Sequence, residues 1–193
     1  MAYDPNNSPI NQSRRPRLDM DDDWIIHFLS EIQIGHISTR DGKQPFINPT
    51  SFWYNKENHE IYFHSNAYGR MRFNAEQNPE ACFECFKSGR LLPSNLALEV
   101  SFQYECVIAY GKIHVIENMD EKRDVLNGLL QKYFGEMKSG VDYRPITDEE
   151  LKQTSVYGLT VDAWNGRRNW VDNADQAENG QWPELAQKWF NFY

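Results

Sequence analysis

The segment from Val100 to Ile116 constrains the fold of this chain more than any other. Val100, Phe102, Tyr104, Cys106, Ile108 and Tyr110 recur at every second position, so they share one face of an extended chain. That length suits a barrel strand, bent near Gly111. Shorter strand signals surround it. Ile34 to Thr39 runs into the turn Asp41-Gly42, and Phe46 to Tyr54 follows, with Pro45 and Pro49 suggesting an edge or a bulge. A second turn over 55–58 leads to Glu60 to His64. Ala81 to Lys87 and Val156 to Trp164 complete the set. The first three strands arrive in meander order, which predicts an antiparallel sheet.

Helical signals are fewer. Asp19 to Asp23 precede Trp24, Ile25, Phe28 and Leu29, which fall on one helical face, and the helix is expected to end near Gln33. A short helix is expected over Phe73 to Glu76. Asp120 to Phe134 presents Val125, Leu126, Leu129, Leu130 and Tyr133 inward. Thr147 to Glu150 is a capping-box pattern for a brief helix ending near Thr154. The fold class expected is mainly β with peripheral α-helices, a six-stranded antiparallel barrel.

The 193 residues suit one domain with a basic arm over 1–17, a body over 18–164 and an aromatic tail over 165–193 that packs on the body or on a second subunit. A formal charge of -8 argues against a general nucleic-acid role, yet leaves room for one small anionic ligand. Cys82 and Cys85 form a CxxC, but on a strand, where residues three apart face opposite sides, and no second pair completes a metal site. The odd count of three Cys fits a reducing compartment. The polar start of the chain and the lack of any ~20-residue apolar run predict a cytoplasmic protein with no membrane role.

Chemistry concentrates between Tyr62 and Arg72. A strand ends at Tyr62-Phe63-His64 and hands over to Ser65-Asn66, then Gly69-Arg70-Met71-Arg72. Ser65 and Asn66 offer a hydroxyl and an amide, Gly69 lets the backbone come close, and the helix start presents free N–H groups. Arg70 and Arg72 add charge and bidentate donors. The same residues also read as an ordinary loop-to-helix junction with solvated arginines. The other histidines are weaker candidates: His59 at a turn, His27 and His36 beside apolar runs, His114 on a strand face.

Several pieces, in order, resemble the Nim nitroimidazole-resistance proteins among the pyridoxamine 5'-phosphate oxidase-like FMN-binding split barrels. They are Ser13-Arg14-Arg15-Pro16, the run from Phe63 to Arg72, Leu92 to Asn95, Glu99 to Tyr104, Arg144-Pro145-Ile146, Lys152 to Tyr157 and Trp164 to Arg167. The resemblance covers nearly the whole chain. It implies a homodimeric split barrel with FMN at the dimer interface. Pro49, Thr50 and Ser51 would line the isoalloxazine through backbone groups. Phe63, His64, Ser65, Asn66, Arg70, Met71 and Arg72 would meet the ribityl phosphate end, and Gln103 would also contact the cofactor. Trp164 and Arg167 would close over the flavin or substrate. Most related barrels carry a Lys after the Gly-Arg pair; Met71 stands there, which leaves Arg72 to supply the charge. His64 is implied to be catalytic, and such a His has been associated with a covalently attached pyruvate. The activity implied is two-electron hydride reduction of nitroaromatic, 5-nitroimidazole-type acceptors. The alternatives are a non-catalytic flavin-binding or storage protein, and a haem-binding split barrel with His64 as axial ligand. The C-terminal pattern of a vitamin B6 oxidase is not found between Trp164 and Tyr193.

Overall fold

The computed structural model describes residue 4 and residues 6–191. Residues 1–3 and 5 of the arm, and Phe192 and Tyr193 of the aromatic tail, lie outside the described residues. The elements are β1 (Asp19–Met20), α1 (Asp22–Glu31), β2 (Ile34–Asp41), β3 (Gln44–Asn55), β4 (Glu60–Asn66), α2 (Arg70–Gln77), β5 (Glu80–Leu92), β6 (Ser101–Ile116), α3 (Met119–Phe134), α4 (Asp148–Lys152) and β7 (Thr154–Asn169).

Six strands close into a ring in the order β7-β4-β3-β2-β5-β6, with β6 pairing β7, and every pairing is antiparallel. The six-stranded antiparallel barrel expected from the sequence is therefore present, and β1 adds two residues on β7. Phe52, Phe63, Phe83, Tyr157 and Leu159 fill the interior. Helix α1 packs Ile25, Phe28 and Leu29 into that core, and α2 contributes Met71 and Ala75. The Asp21 carboxylate caps α1 by accepting from Trp24 N–H. The helix stops at Glu31, short of Gln33, and Ile32 is already extended. The capping box at Thr147 forms as the pattern predicts. Helix α3 lies across the outer face of β3 and β4, with Val125 against Tyr62, Ile116 and Val156.

Strand β6 alternates as its sequence predicts, and burial distinguishes its two faces. The stripe Val100, Phe102, Tyr104 does share a face, but that face points out: Val100 and Phe102 are exposed. Gln103, Glu105, Val107 and Ala109 are buried instead. The polar pair is tolerated inside because both side chains are satisfied. Glu105 meets Lys87 at 3.4 Å and Arg168 at 2.9 Å. Gln103 accepts from Arg90 N–H at 3.3 Å and donates to the Val171 carbonyl at 2.9 Å.

Two strands outrun their expected ends. β5 continues past Lys87 to Leu92 through an irregularity between Ser88 and Leu91. β7 continues past Trp164 to Asn169 because β6 stays paired with it as far as Tyr104. The chain beyond β7 is tied to Pro93–Asn95. Ser94 Oγ donates to the Asp175 carbonyl, Gln176 Nε2 to the Pro93 carbonyl and Asn95 Nδ2 to the Pro183 carbonyl.

The expected edge at Pro45 and Pro49 is real. β3 pairs with β2 from Gln44 to Ser51 but with β4 only from Phe52 to Asn55. The sheet splits at the Phe52–Phe63 pair. β6 bends at a register shift between Tyr110 and Gly111. A Cβ on Gly111 would lie 1.9 Å from the Thr160 carbonyl oxygen, so the strands close there only around glycine. Gly111→Ala is expected to destabilise the fold by about 1–3 kcal/mol, the usual cost of forced overpacking, read as a lower urea midpoint. An unchanged midpoint would show that the bend relaxes freely.

Candidate functional site

The split between β3 and β4 opens a cleft of about 680 Å³ on the outer face of the barrel. Ser51 and His64, the residues just beyond the last β3–β4 pair, line its mouth. Leu126, Leu129, Leu130, Tyr133 and Phe134 of α3 form one wall, and Tyr143, Arg144, Ile146 and Glu150 close the far side. A smaller cleft of about 360 Å³ adjoins it, lined by His64, Ser65, Asn66, Glu150, Gln153 and Thr154. His64 and Glu150 belong to both, so the two read as one groove.

Tyr133 holds the split open. Its hydroxyl accepts from Phe52 N–H at 2.9 Å and lies within donating distance of the Gln33 carbonyl at 2.5 Å and the Phe52 carbonyl at 2.9 Å. Burial raises its pKa, so it stays a neutral phenol at pH 7. Beside it, Lys132 donates to the Leu29 carbonyl at 2.9 Å with its ammonium 3.6 Å from the Phe52 ring centre. Burial lowers that amine to about 8.

His64 has no hydrogen-bond partner among the described residues. Its ring reaches solvent, but the surrounding walls remove enough water to lower its pKa from 6.5. At pH 7 it is neutral and offers a hydrogen bond, not a charge. Ser65 turns the other way: its hydroxyl is 2.9 Å from Tyr157 OH. Asn66 Oδ1 accepts from Tyr68 N–H at 3.1 Å. Gly69 begins α2 with φ +139°, a conformation essentially confined to glycine, and no side chain caps the helix. Open space surrounds its would-be Cβ, so the glycine is there for its backbone angle, not for close approach.

The remaining sequence candidates disperse. Thr50 is buried and Pro49 exposed, both on the half of β3 that has β2 as its single strand neighbour. Phe63 stacks on Tyr157 inside the barrel, and Met71 is a core residue. Arg70 is held by Asp41 at 2.5 Å. Arg72 is held by Glu76 and Glu117, and it donates to Ser155 Oγ at 3.3 Å. Neither arginine lines the groove. Gln103 spans the Arg90 and Val171 backbone. Trp164 donates to Asp22 at 2.8 Å and packs edge-on against His59, while Arg167 donates to Ser13 Oγ at 2.8 Å.

The groove contributes residues with no role read from the sequence: Tyr133, Arg144 and Glu150. Arg144 donates to both Glu150 oxygens, at 2.8 and 3.2 Å, and Glu150 also accepts from Thr147 N–H at 2.9 Å. Those donors pull Glu150 down to about 2. The Arg144-Pro145-Ile146 piece marked the place; that its loop folds back over β4 is a tertiary fact.

Comparison with known proteins follows from this geometry. A family model described as pyridoxamine 5'-phosphate oxidase matches residues 21–168. No curated protein matches the chain. Among solved structures, the flavocytochrome Anf3 of Azotobacter vinelandii is similar with a TM-score of 0.74 and 18% identity, covering 86% of this chain and 76% of its own. An FAD and haem binding protein of Mycobacterium smegmatis is similar at 0.73 and 20%, covering 84% and 79%. A proposed 5-nitroimidazole antibiotic resistance protein of Bacteroides thetaiotaomicron is similar at 0.65 and 22%, covering 78% and 86%. Likeness at such identities speaks for the fold.

The lowered pKa of His64 has a consequence for stability. The unfolded chain takes up its proton near pH 6.5 and the folded chain only at lower pH, so stability falls as pH drops through that window and is unaffected above it. His64→Gln should flatten that part of the denaturation midpoint between pH 5 and 7. A slope unchanged by the substitution would show that His64 is not desolvated.

Proposed function

The chain belongs to the pyridoxamine 5'-phosphate oxidase family, and from that premise we propose that it is a flavin-dependent reductase of small planar acceptors, of the nitroaromatic kind reduced by Nim-like proteins. The observation that carries this reading is the split itself. The half-strand Gln44–Ser51 has strand partners on one side only, so its other edge offers backbone donors and acceptors to a flat ring. A cleft of about 680 Å³, largely apolar, begins where that edge ends, within the range that encloses a drug-sized ligand. The residues present fit a flavin's ring end at Pro49, Thr50 and Ser51. Ser65, Asn66 and the uncapped start of α2 fit its phosphate end. When bound, the flavin supplies two electrons as hydride.

The chain's own residues do the rest. The α3 wall excludes water from the cleft. Neutral His64 hydrogen-bonds the ring or the acceptor at the mouth. Arg144 lines the cleft and would stabilise negative charge developing on a nitro group held there. We assign FMN as the flavin and a homodimer as the working unit. The exposed outer patch of Phe86, Leu91 and Phe102 supports the dimer, since an apolar patch of that kind marks an interface.

A second reading is haem, favoured by the same apolar cleft with His64 as the one histidine lining it. Purified protein separates the two. Flavin bands, a reducible spectrum and, with a supplied chemical or nicotinamide reductant recharging the flavin for three successive two-electron steps, anaerobic formation of the amine from a 5-nitroimidazole are expected, and His64→Ala should lower turnover by roughly 10²-fold or more, the scale of a positioned catalytic group. A Soret band without flavin bands favours haem. Flavin binding with no turnover under any reductant leaves a storage protein. A native mass spectrum reports dimer mass, flavin and any pyruvate adduct on His64.

A further inference from the structure

We propose that the N-terminal basic arm forms a second ligand site, for a nucleoside diphosphate, separate from the His64 groove. The arm is pinned, not loose. Ser13 is buried and accepts from Arg167, Asn11 donates to the Trp164 carbonyl at 2.9 Å, Leu18 is buried, and Asp19–Met20 pair with β7. Between these anchors Arg14, Arg15 and Arg17 stand exposed around one 3-10 turn over Pro16–Leu18.

The distribution of arginine ion pairs singles this turn out. Arg40, Arg70, Arg72, Arg90, Arg123, Arg144, Arg167 and Arg168 each have a carboxylate within 4 Å. They are all the arginines outside the arm. The three guanidiniums of the arm have no ion-pair or hydrogen-bond partner among the described residues. In a chain of net charge -8, carboxylates are plentiful; these three cations are held away from them.

They open onto a groove of about 740 Å³. Ser101 and Asn169 line it with polar side chains, while Leu98, Val100 and Val171 give it an exposed apolar wall. The acids on its rim are Glu99 and Asp175, so three cations face two anions. Guanidiniums one and three positions apart on a rigid turn suit a two-phosphate group, because each binds phosphate oxygens bidentately. Asn169 Nδ2 is held by the Phe102 carbonyl at 3.0 Å and by Ser101 Oγ at 3.4 Å, which leaves the Ser101 hydroxyl hydrogen and Asn169 Oδ1 to suit a sugar, and the apolar wall suits the face of a base. Those features together describe a nucleoside diphosphate, as occurs free, in a flavin dinucleotide or in a nicotinamide dinucleotide.

Titration calorimetry of ADP, AMP and adenosine into the purified chain tests the site without any turnover, so its failure leaves the reductase reading untouched. Affinity should fall in the order ADP, AMP, adenosine. The triple variant R14A/R15A/R17A should weaken ADP by roughly tenfold or more, the scale of one lost charge-assisted hydrogen bond, and leave adenosine unchanged. The triple Arg→Lys variant, which keeps charge and loses the fork, should fall between. Melting temperature should not move, because none of the three side chains has a partner to lose. ADP competition against FAD but not FMN would name a flavin dinucleotide as the source; competition against NADPH would name a nicotinamide. Equal binding of ADP and adenosine, no ADP binding, or ADP binding indifferent to the alanine variant overturns the proposal.

Discussion

The parting of β3 from β4 beyond the Phe52–Phe63 pair governs this structure. Had pairing continued, Ser51 would face His64 across a ladder, and the barrel wall would be sealed. Backbone polar groups left without a strand must find other partners. Past the last β3–β4 pair the Ser51 carbonyl accepts from Thr50 Oγ1 at 3.0 Å, and where β2 has ended Tyr133 of α3 bonds the N–H and carbonyl of Phe52 and the Gln33 carbonyl. The same contact sets α3 away from the wall, and the space between becomes the cleft. Strand geometry, helix placement and the site are thus consequences of one broken pairing.

Charge is arranged around the split with similar economy. The groove holds a neutral His64 and one Arg144–Glu150 pair. Glu150 keeps its bond from Thr147 N–H whatever Arg144 does, because that bond belongs to the helix cap. Arg144 can therefore turn to a ligand without stranding its partner. Arg70 and Arg72 have no such freedom. Asp41 holds the first, Glu76 and Glu117 hold the second, and Arg72 ties α2 to the segment after β6.

Much of the fold was legible in the sequence because turns and period-two patterns are local. Asp41-Gly42 and Thr147 to Glu150 lie where their residues indicate, and each of the six strand segments is a strand, two of them longer than expected. What the period-two pattern left open was which face turns inward. The stripe from Val100 to Tyr104 is more apolar than Gln103 and Glu105, yet it faces outward, because Lys87, Arg168, Arg90 and Val171 satisfy the polar pair inside. No local pattern reports partners that are distant in sequence. For the same reason His64, Ser65 and Asn66 were legible as neighbours on one cleft, since they are contiguous. Tyr133 and Arg144, brought to them by α3 and its following loop, were not.

Strand β7 carries the remaining constraint. Val156 stands opposite His64, and Arg167 lies eleven positions further along the same strand; at ~3.3 Å per residue that is roughly 35 Å of strand. Within one chain, Trp164 and Arg167 therefore lie far from the His64 groove, engaged by Asp22 and Ser13. On the proposed dimer, a flavin seated at His64 of one chain would meet Trp164 and Arg167 only from the other.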